Sequence, residues 1–188
     1  MGLFSGSSSQ GSPFPHGAPF QRSTGTLDRA SRHQIWDLDT NHVQATQGQV
    51  FYTYSKGEAS SSNIRSMVNN LDAFARETKL PIGYVLHLVS SAKPPASEDR
   101  ELTTAMFNRH AGRITGLAVV IEADGFTGAA LRSAVTMVFM MTCRGFPTRT
   151  FPNIRAAADW LAERQRVPAA EIIRLSEEAH GALRRAGT

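Results

Sequence analysis

The sequence predicts an α/β fold, a single-domain sandwich built on a mixed, mainly parallel sheet. From residue 63 onward, apolar strand-like runs alternate with segments of helical periodicity, an order typical of parallel strands joined by right-handed crossovers. Ahead of them, the partial alternation of Val43–Tyr54 predicts an antiparallel hairpin at one edge of the sheet. The predicted order is therefore β-β-α-β-α-β-α-β-α-α.

Length and composition divide the chain into three parts. A chain of 188 residues is long enough for one domain with its own core. Residues 1–32 are rich in Gly, Ser and Pro and lack an apolar period, which predicts a disordered tail. Its segment Phe14–Phe20 is either solvated linker or a docking motif that orders on a partner. Residues 33–165 form the predicted α/β domain, and residues 166–188 a C-terminal amphipathic helix.

Cap residues and periodicity predict the individual elements. Ser60–Asn63 supplies N-cap residues for a helix over 63–78, and the apolar run Ile82–Val89 predicts a buried strand. Ser97 caps a second helix, whose acidic first turn suits the positive end of the helix dipole. The remaining predicted elements are a strand at Leu117–Ile121, a helix from Ala129 to about Cys143, a strand at Thr148–Phe151, a helix capped by Asn153 and a last helix with Pro168 in its first turn.

Charge and cysteine content exclude several classes of protein. Residues 33–165 carry thirteen basic and twelve acidic side chains, spread without a basic stripe, so we expect no nucleic-acid partner. The single Cys143 excludes an intrachain disulfide framework and a multi-cysteine metal site. No apolar run is long enough for a transmembrane helix, and the first residues lack the pattern of a secretory signal. We therefore expect a cytoplasmic protein without membrane insertion.

One succession of segments is distinctive: Glu101–His110, the strand Leu117–Glu122, the helix at Leu131–Ala134, Phe146-Pro147, Phe151 and Ala156–Leu161. Its most telling piece is Phe151, followed by a helix cap and an alanine-rich turn that ends in Trp160-Leu161. Over roughly residues 33–165 this succession resembles the SpoIIAA-like, or STAS-type, domains, which include anti-sigma-factor antagonists and many bacterial relatives. The resemblance implies a small α/β sandwich that binds other proteins and is not an enzyme.

The same resemblance raises the question of a phosphorylation switch. Well-studied relatives switch partners through a serine at the start of the helix after a central strand, usually in an Asp-Ser-Ser/Thr-Gly context. In this sequence Ser90, Ser91 and Ser97 occupy that region without this context. We therefore expect no switch, and keep these serines as the positions where one would lie.

Catalytic and metal-binding motifs are absent from the sequence. The six histidines include no His-x-His or His-x3-His pair, and no nucleophile elbow, phosphate-binding loop or dinucleotide fingerprint occurs. His87, inside an apolar strand, is either a hydrogen-bonded core residue or a ligand or general base. His110 near a helix end is expected at the surface, and Cys143 in inert packing. We predict no catalytic residue, cofactor or metal.

The turn between the strand at 117–121 and the next helix is a possible ligand site. Backbone N–H groups at such a turn can hold an anion, although Glu122 and Asp124 would repel a phosphate. A plain strand–helix turn explains the same residues. The members of the possible anion or ligand site are Gly125, Thr127, Gly128 and Arg132.

The following helix contains a dense cluster of flexible apolar side chains. Core packing explains part of it, but the segment is apolar on more than one face, and Met repacks easily against a partner. The possible partner surface consists of Met137, Val138, Met140 and Met141. The function expected is a non-catalytic protein-binding or regulatory module of a bacterial signalling or assembly pathway, with a protein partner or a homodimer. The alternative is a small-molecule or nucleotide-binding protein of the same fold.

Overall fold

The computed structural model describes residues 33–57, 60–89, 97–123 and 125–187, without the side chains of 126–128, 131, 134, 138 and 140–142. The predicted tail at 1–32 and the serines at 90 and 91 lie outside the described residues. The strands are β1 (Gln34–Leu38), β2 (His42–Gln47), β3 (Val50–Ser55), β4 (Ile82–Val89), β5 (Ile114–Glu122) and β6 (Thr148–Phe151). The helices are α1 (Ser61–Glu77), α2 (Ser97–Arg109), α3 (Gly125–Thr142), α4 (Ile154–Ala162) and α5 (Ala169–Ala186).

The strands form one mixed sheet whose spatial order follows the chain, β1 to β6. β1, β2 and β3 pair antiparallel, and β3 to β6 pair parallel. The predicted α/β class is confirmed, with β4 and β5 parallel in the interior of the sheet and the antiparallel part at one edge. The β2–β3 turn contains Gly48 at φ 60°, a left-handed conformation that glycine adopts readily.

The structure adds a strand that the sequence pattern does not predict. β1 pairs with β2, and its register shifts between Ile35 and Asp37. Such a bulge breaks the strict alternation by which an edge strand is recognised. Trp36 fixes the pairing, since its indole Nε1 donates to Thr46 Oγ1 at 2.9 Å. The observed order is therefore β-β-β-α-β-α-β-α-β-α-α.

Helices cover both faces of the sheet. α1 and α2 pack on one face around Phe51, Tyr84 and Phe107, where side chains of α3 join them. α4 and α5 pack on the opposite face around Tyr52, Val85 and the other inward residues of the strands. This second core continues into α5, so the C-terminal helix packs on the same sheet as the predicted domain. The boundary drawn at residue 165 stays a prediction.

Local caps explain where helices begin. Ser60 and Asn63 form a capping box at α1, with the Ser60 side chain accepting from the Asn63 amide. Asn153 caps α4, accepting from the Ala156 amide at 2.9 Å. α5 begins directly after Pro168, whose fixed φ suits a helix start. The predicted caps at Ser60–Asn63 and Asn153 thus hold in the structure.

Trp160 closes the second core against the sheet. Its ring lies 5.4 Å from that of Phe151, centroid to centroid. Gly116 on β5 makes room for the indole, because a Cβ there would stand 3.0 Å from the Trp160 ring. The sheet and α4 therefore approach each other through a glycine on one side and an indole on the other.

Replacing Trp160 with Ala should destabilise the protein by about 3–5 kcal/mol, the usual cost of a large aromatic cavity in a core. The measurement is the free energy of unfolding from urea denaturation.

Two glycine variants provide the matched control for this contact. Gly116→Ala should cost about 1–3 kcal/mol by overpacking against the indole. Gly112→Ala should change little, because nothing lies within 4 Å of the added Cβ. A loss below about 1 kcal/mol for Trp160→Ala would contradict the placement of α4.

Candidate functional site

One side of α3 is fixed to the body of the protein. Val135 and Phe139 pack against the core formed by α1, α2 and the sheet. The Phe139 ring stands edge-on to that of Phe107, with centroids 6.2 Å apart. Thr136 Oγ1 lies 2.6 Å from Thr150 Oγ1, which ties the helix to β6. These positions define the inner side of α3.

The outer side of α3 carries no charge among its described side chains. Its exposed residues are Ala129, Ala130, Ser133 and Met137, and Met137 is 64% exposed. By contrast, α4 exposes Arg155 and Asp159. A helix face in contact with water usually carries charged or polar residues. Of the partner surface predicted from sequence, Met137 is thus exposed, whereas the side chains of Val138, Met140 and Met141 lie outside the described ones.

Arg132, the one charged residue of α3, is engaged by the backbone. Its Nη1 donates to the carbonyl oxygen of Ala123 at 2.8 Å and faces that of Ile121 at 3.4 Å. Gly125 begins the helix at φ 65°, and the side chains at 127 and 128 are not among those described. Arg132 therefore holds the end of β5 to α3, and the predicted anion site at this turn stays a prediction.

The serine positions are only partly described. Ser97 is the first residue of α2 and is exposed, while Ser90 and Ser91 lie outside the described residues. The adjacent buried carboxylate, Asp99, accepts a hydrogen bond from Ser61 Oγ at 2.8 Å. The first turns of α1 and α2 are joined in this way.

A buried polar cluster lies between the sheet and α5. The Tyr52 hydroxyl is its centre, 2.8 Å from His87 Nδ1, 2.9 Å from His180 Nε2 and 3.3 Å from Ser176 Oγ. Tyr52 and His87 are fully buried. Glu122, at the mouth of the cluster, places Oε1 3.2 Å from His87 Nε2. We name these five residues, Tyr52, His87, Glu122, Ser176 and His180, the tyrosine cluster.

The single hydroxyl hydrogen of Tyr52 limits the hydrogen bonds within the tyrosine cluster. Only one of the two histidine nitrogens can accept this hydrogen, and the other can donate to the Tyr52 oxygen. The tautomers of the two rings set these roles. His87 Nε2 lies 3.2 Å from Glu122 Oε1 but forms no hydrogen bond with it.

Burial keeps Tyr52, His87 and His180 neutral. It lowers the pKa of His87 to about 4 and raises the pKa of the Tyr52 phenol above its ordinary value. The pKa of His180 is also lowered to about 4, first by burial and then by the nearby His87. Two neutral imidazoles and a neutral phenol therefore join β3 and β4 to α5. His87 is the hydrogen-bonded core histidine, the first of its two sequence-based interpretations.

His110 departs from its expected place. It is 9% exposed, not at the surface, and its Nε2 lies 2.6 Å from Asp72 Oδ1. Arg109 Nη1 donates to the second carboxylate oxygen of Asp72 at 2.7 Å. Asp72 on α1 thus clamps the end of α2, a contact that the spacing within α2 alone does not reveal.

Comparison with known proteins concerns the fold alone. No family model matches the chain, and no curated protein matches it. The structure is similar to that of an uncharacterised protein of the DUF3478 family from Shewanella loihica PV-4, described as having a SpoIIAA-like fold. The likeness covers 69% of this chain and 92% of that one, at 14% identity and a TM-score of 0.44.

Two further findings concern the described part of the chain. None of its helices combines the length and apolar character that a membrane span requires. Within the same residues, no group of three or more His, Cys, Asp or Glu side chains is placed to hold a metal ion.

The tyrosine cluster predicts loss of stability in mild acid. In the unfolded chain, His87 and His180 have pKa values near 6.5, whereas in the folded protein both pKa values are about 4. Between these two pH values the unfolded state therefore binds more protons than the folded state. The free energy of unfolding should be highest above pH 6.5 and fall as the pH drops towards 4. His87 alone should account for about 3 kcal/mol of this fall.

His87→Asn isolates this contribution, because its side-chain oxygen can still accept from Tyr52 but does not titrate. Chemical denaturation at a series of pH values should show a shallower fall for this variant than for the wild type. His180 and the buried His42, whose pKa values are also lowered, leave the variant with part of the slope. Equal slopes would show that His87 does not titrate as a buried neutral base.

Proposed function

We propose that this chain is a non-catalytic protein-binding module, acting in a regulatory or assembly role in the cytoplasm, and that the outer face of α3 is its docking surface. The observation that carries the proposal is the exposed side of α3, which has no charge among its described residues and on which Met137 is 64% exposed. Exposed apolar surface of this kind is typical of binding sites.

The inner contacts of α3 support the proposal. Val135, Thr136 and Phe139 already satisfy packing against the body of the protein, so the opposite side is not needed for folding. Met137 is well suited to docking, since its flexible thioether side chain adapts to a partner. Arg132, the one charged residue of α3, donates to a carbonyl oxygen at the end of β5, so its charge is directed away from the outer face.

The occupant we favour is a second copy of the chain. Two-fold dimers are the commonest assemblies of like subunits, and a helix packed on its own symmetry mate buries the same apolar residues on both sides. A face without charges places no like charges opposite each other in such a pairing. The sequence resemblance to partner-binding SpoIIAA-like domains supports a regulatory use of this surface.

Met137→Lys should abolish the dimer without harming the fold. The position is 64% exposed, so a lysine there remains in water in the monomer, and the free energy of unfolding should stay within about 0.5 kcal/mol of wild type. In the dimer the same charge would be buried without a partner. Sedimentation over a wide range of protein concentration measures the effect.

Leu80→Lys is the matched control, because Leu80 is also a large exposed apolar residue, at 45%, but lies between α1 and β4. It should dimerise like the wild type. A wild type that stays monomeric at all concentrations, or a Met137→Lys variant that still dimerises, would contradict the proposal.

A further inference from the structure

A second surface of the molecule, beside the C-terminal end of α3, has the features of an anion site. The segment that follows α3 and leads into β6 borders a cleft of about 570 Å³. This volume lies within the range of small-molecule sites. Three arginines line the cleft, Arg144, Arg149 and Arg164, and no acidic residue lines it within the described part of the chain.

Arg164 is held in a fixed orientation. Its guanidinium carbon lies 4.2 Å from the centre of the Trp160 ring, and its Nη1 donates to the Trp160 carbonyl oxygen at 2.9 Å. Glu163 Oε2 is 3.3 Å from the same nitrogen. Gly116 fixes the indole beneath it, as described above. A guanidinium held in this way loses little freedom when an anion binds to its remaining N–H groups.

The positive charges of the other two arginines are not paired with acidic side chains of the described residues. Among the described residues, neither Arg144 nor Arg149 forms an ion pair, and Arg149 stacks on the Phe151 ring at 5.4 Å. Arginines gathered at one cleft repel one another, and a bound anion would relieve this repulsion. Such a grouping suits the bidentate recognition of phosphate.

The cleft also has a polar residue and an apolar wall. Thr148 lines it beside the arginines. Pro147 adds exposed apolar surface, whereas Phe146 is largely buried in the core and closes the base of the cleft.

We propose that this arginine cleft binds a small organic phosphate, a phosphate monoester on an apolar or aromatic carrier. The phosphate takes hydrogen bonds from Arg144, Arg149 and Arg164, and the carrier lies along Pro147.

Phenyl phosphate is the probe that combines both parts of the proposed ligand. Added to the full chain in a nuclear magnetic resonance titration, it should shift the backbone amides of 144–149 and the indole N–H of Trp160. Inorganic phosphate should shift the same amides more weakly, because it lacks the carrier. Phenol, which lacks the phosphate, should not shift them.

The double variant Arg144→Gln and Arg149→Gln should weaken phenyl phosphate binding by about tenfold or more, since charge-assisted hydrogen bonds are lost. Arg65→Gln with Arg76→Gln removes the same charge from exposed positions of α1 and should leave binding unchanged. Equal weakening in both double variants, equal shifts from phenol, or the absence of shifts at 144–149 would overturn the proposal. Unaltered spectra elsewhere verify that the variants are folded.

Discussion

Burial of both faces of the parallel strands is the constraint on which the rest of this structure depends. β4 and β5 lie inside the sheet and are apolar on both sides, so neither face can be left in water. The chain adds strands in one direction from β3 to β6, and right-handed crossovers place α1, α2 and α3 on the same face. The opposite face stays open until α4 and α5 return across it.

The placement of the helices on the two faces of the sheet determines which helix faces remain exposed and could bind a partner. α5 is tied to the sheet by the tyrosine cluster as well as by apolar packing, and its exposed residues Arg174 and Glu177 are charged. The described α3 side chains that contact the core and β6 lie on one side of this helix, and its outer side has no charge among the described residues. The charged outer face of α5 is therefore typical of a surface in contact with water, whereas the uncharged outer face of α3 is typical of a surface that contacts another protein.

The sequence predicts what depends on near neighbours. Caps such as Ser60 and Asn153 and the β2–β3 hairpin follow from local sequence pattern. The sequence pattern does not predict β1, because a bulge interrupts the alternation of its side chains. The sequence does not predict the tyrosine cluster either. His87 and His180 are 35 and 128 positions from Tyr52 in the chain, and they reach it only through the order of the strands and the packing of α5 on the sheet. For the same reason, the sequence positions of the three arginines do not predict that they line one cleft.

The measurement that tests the central claim most directly is amide hydrogen exchange of α3 at low and high protein concentration. If its outer face is the docking surface, peptides covering 129–142 should exchange more slowly as the concentration rises, since association protects the helix from opening. Peptides covering α1 at 61–77 serve as the internal reference and should exchange at the same rate throughout. Exchange in α3 that does not depend on concentration, or protection that appears in α1 instead, would contradict the account.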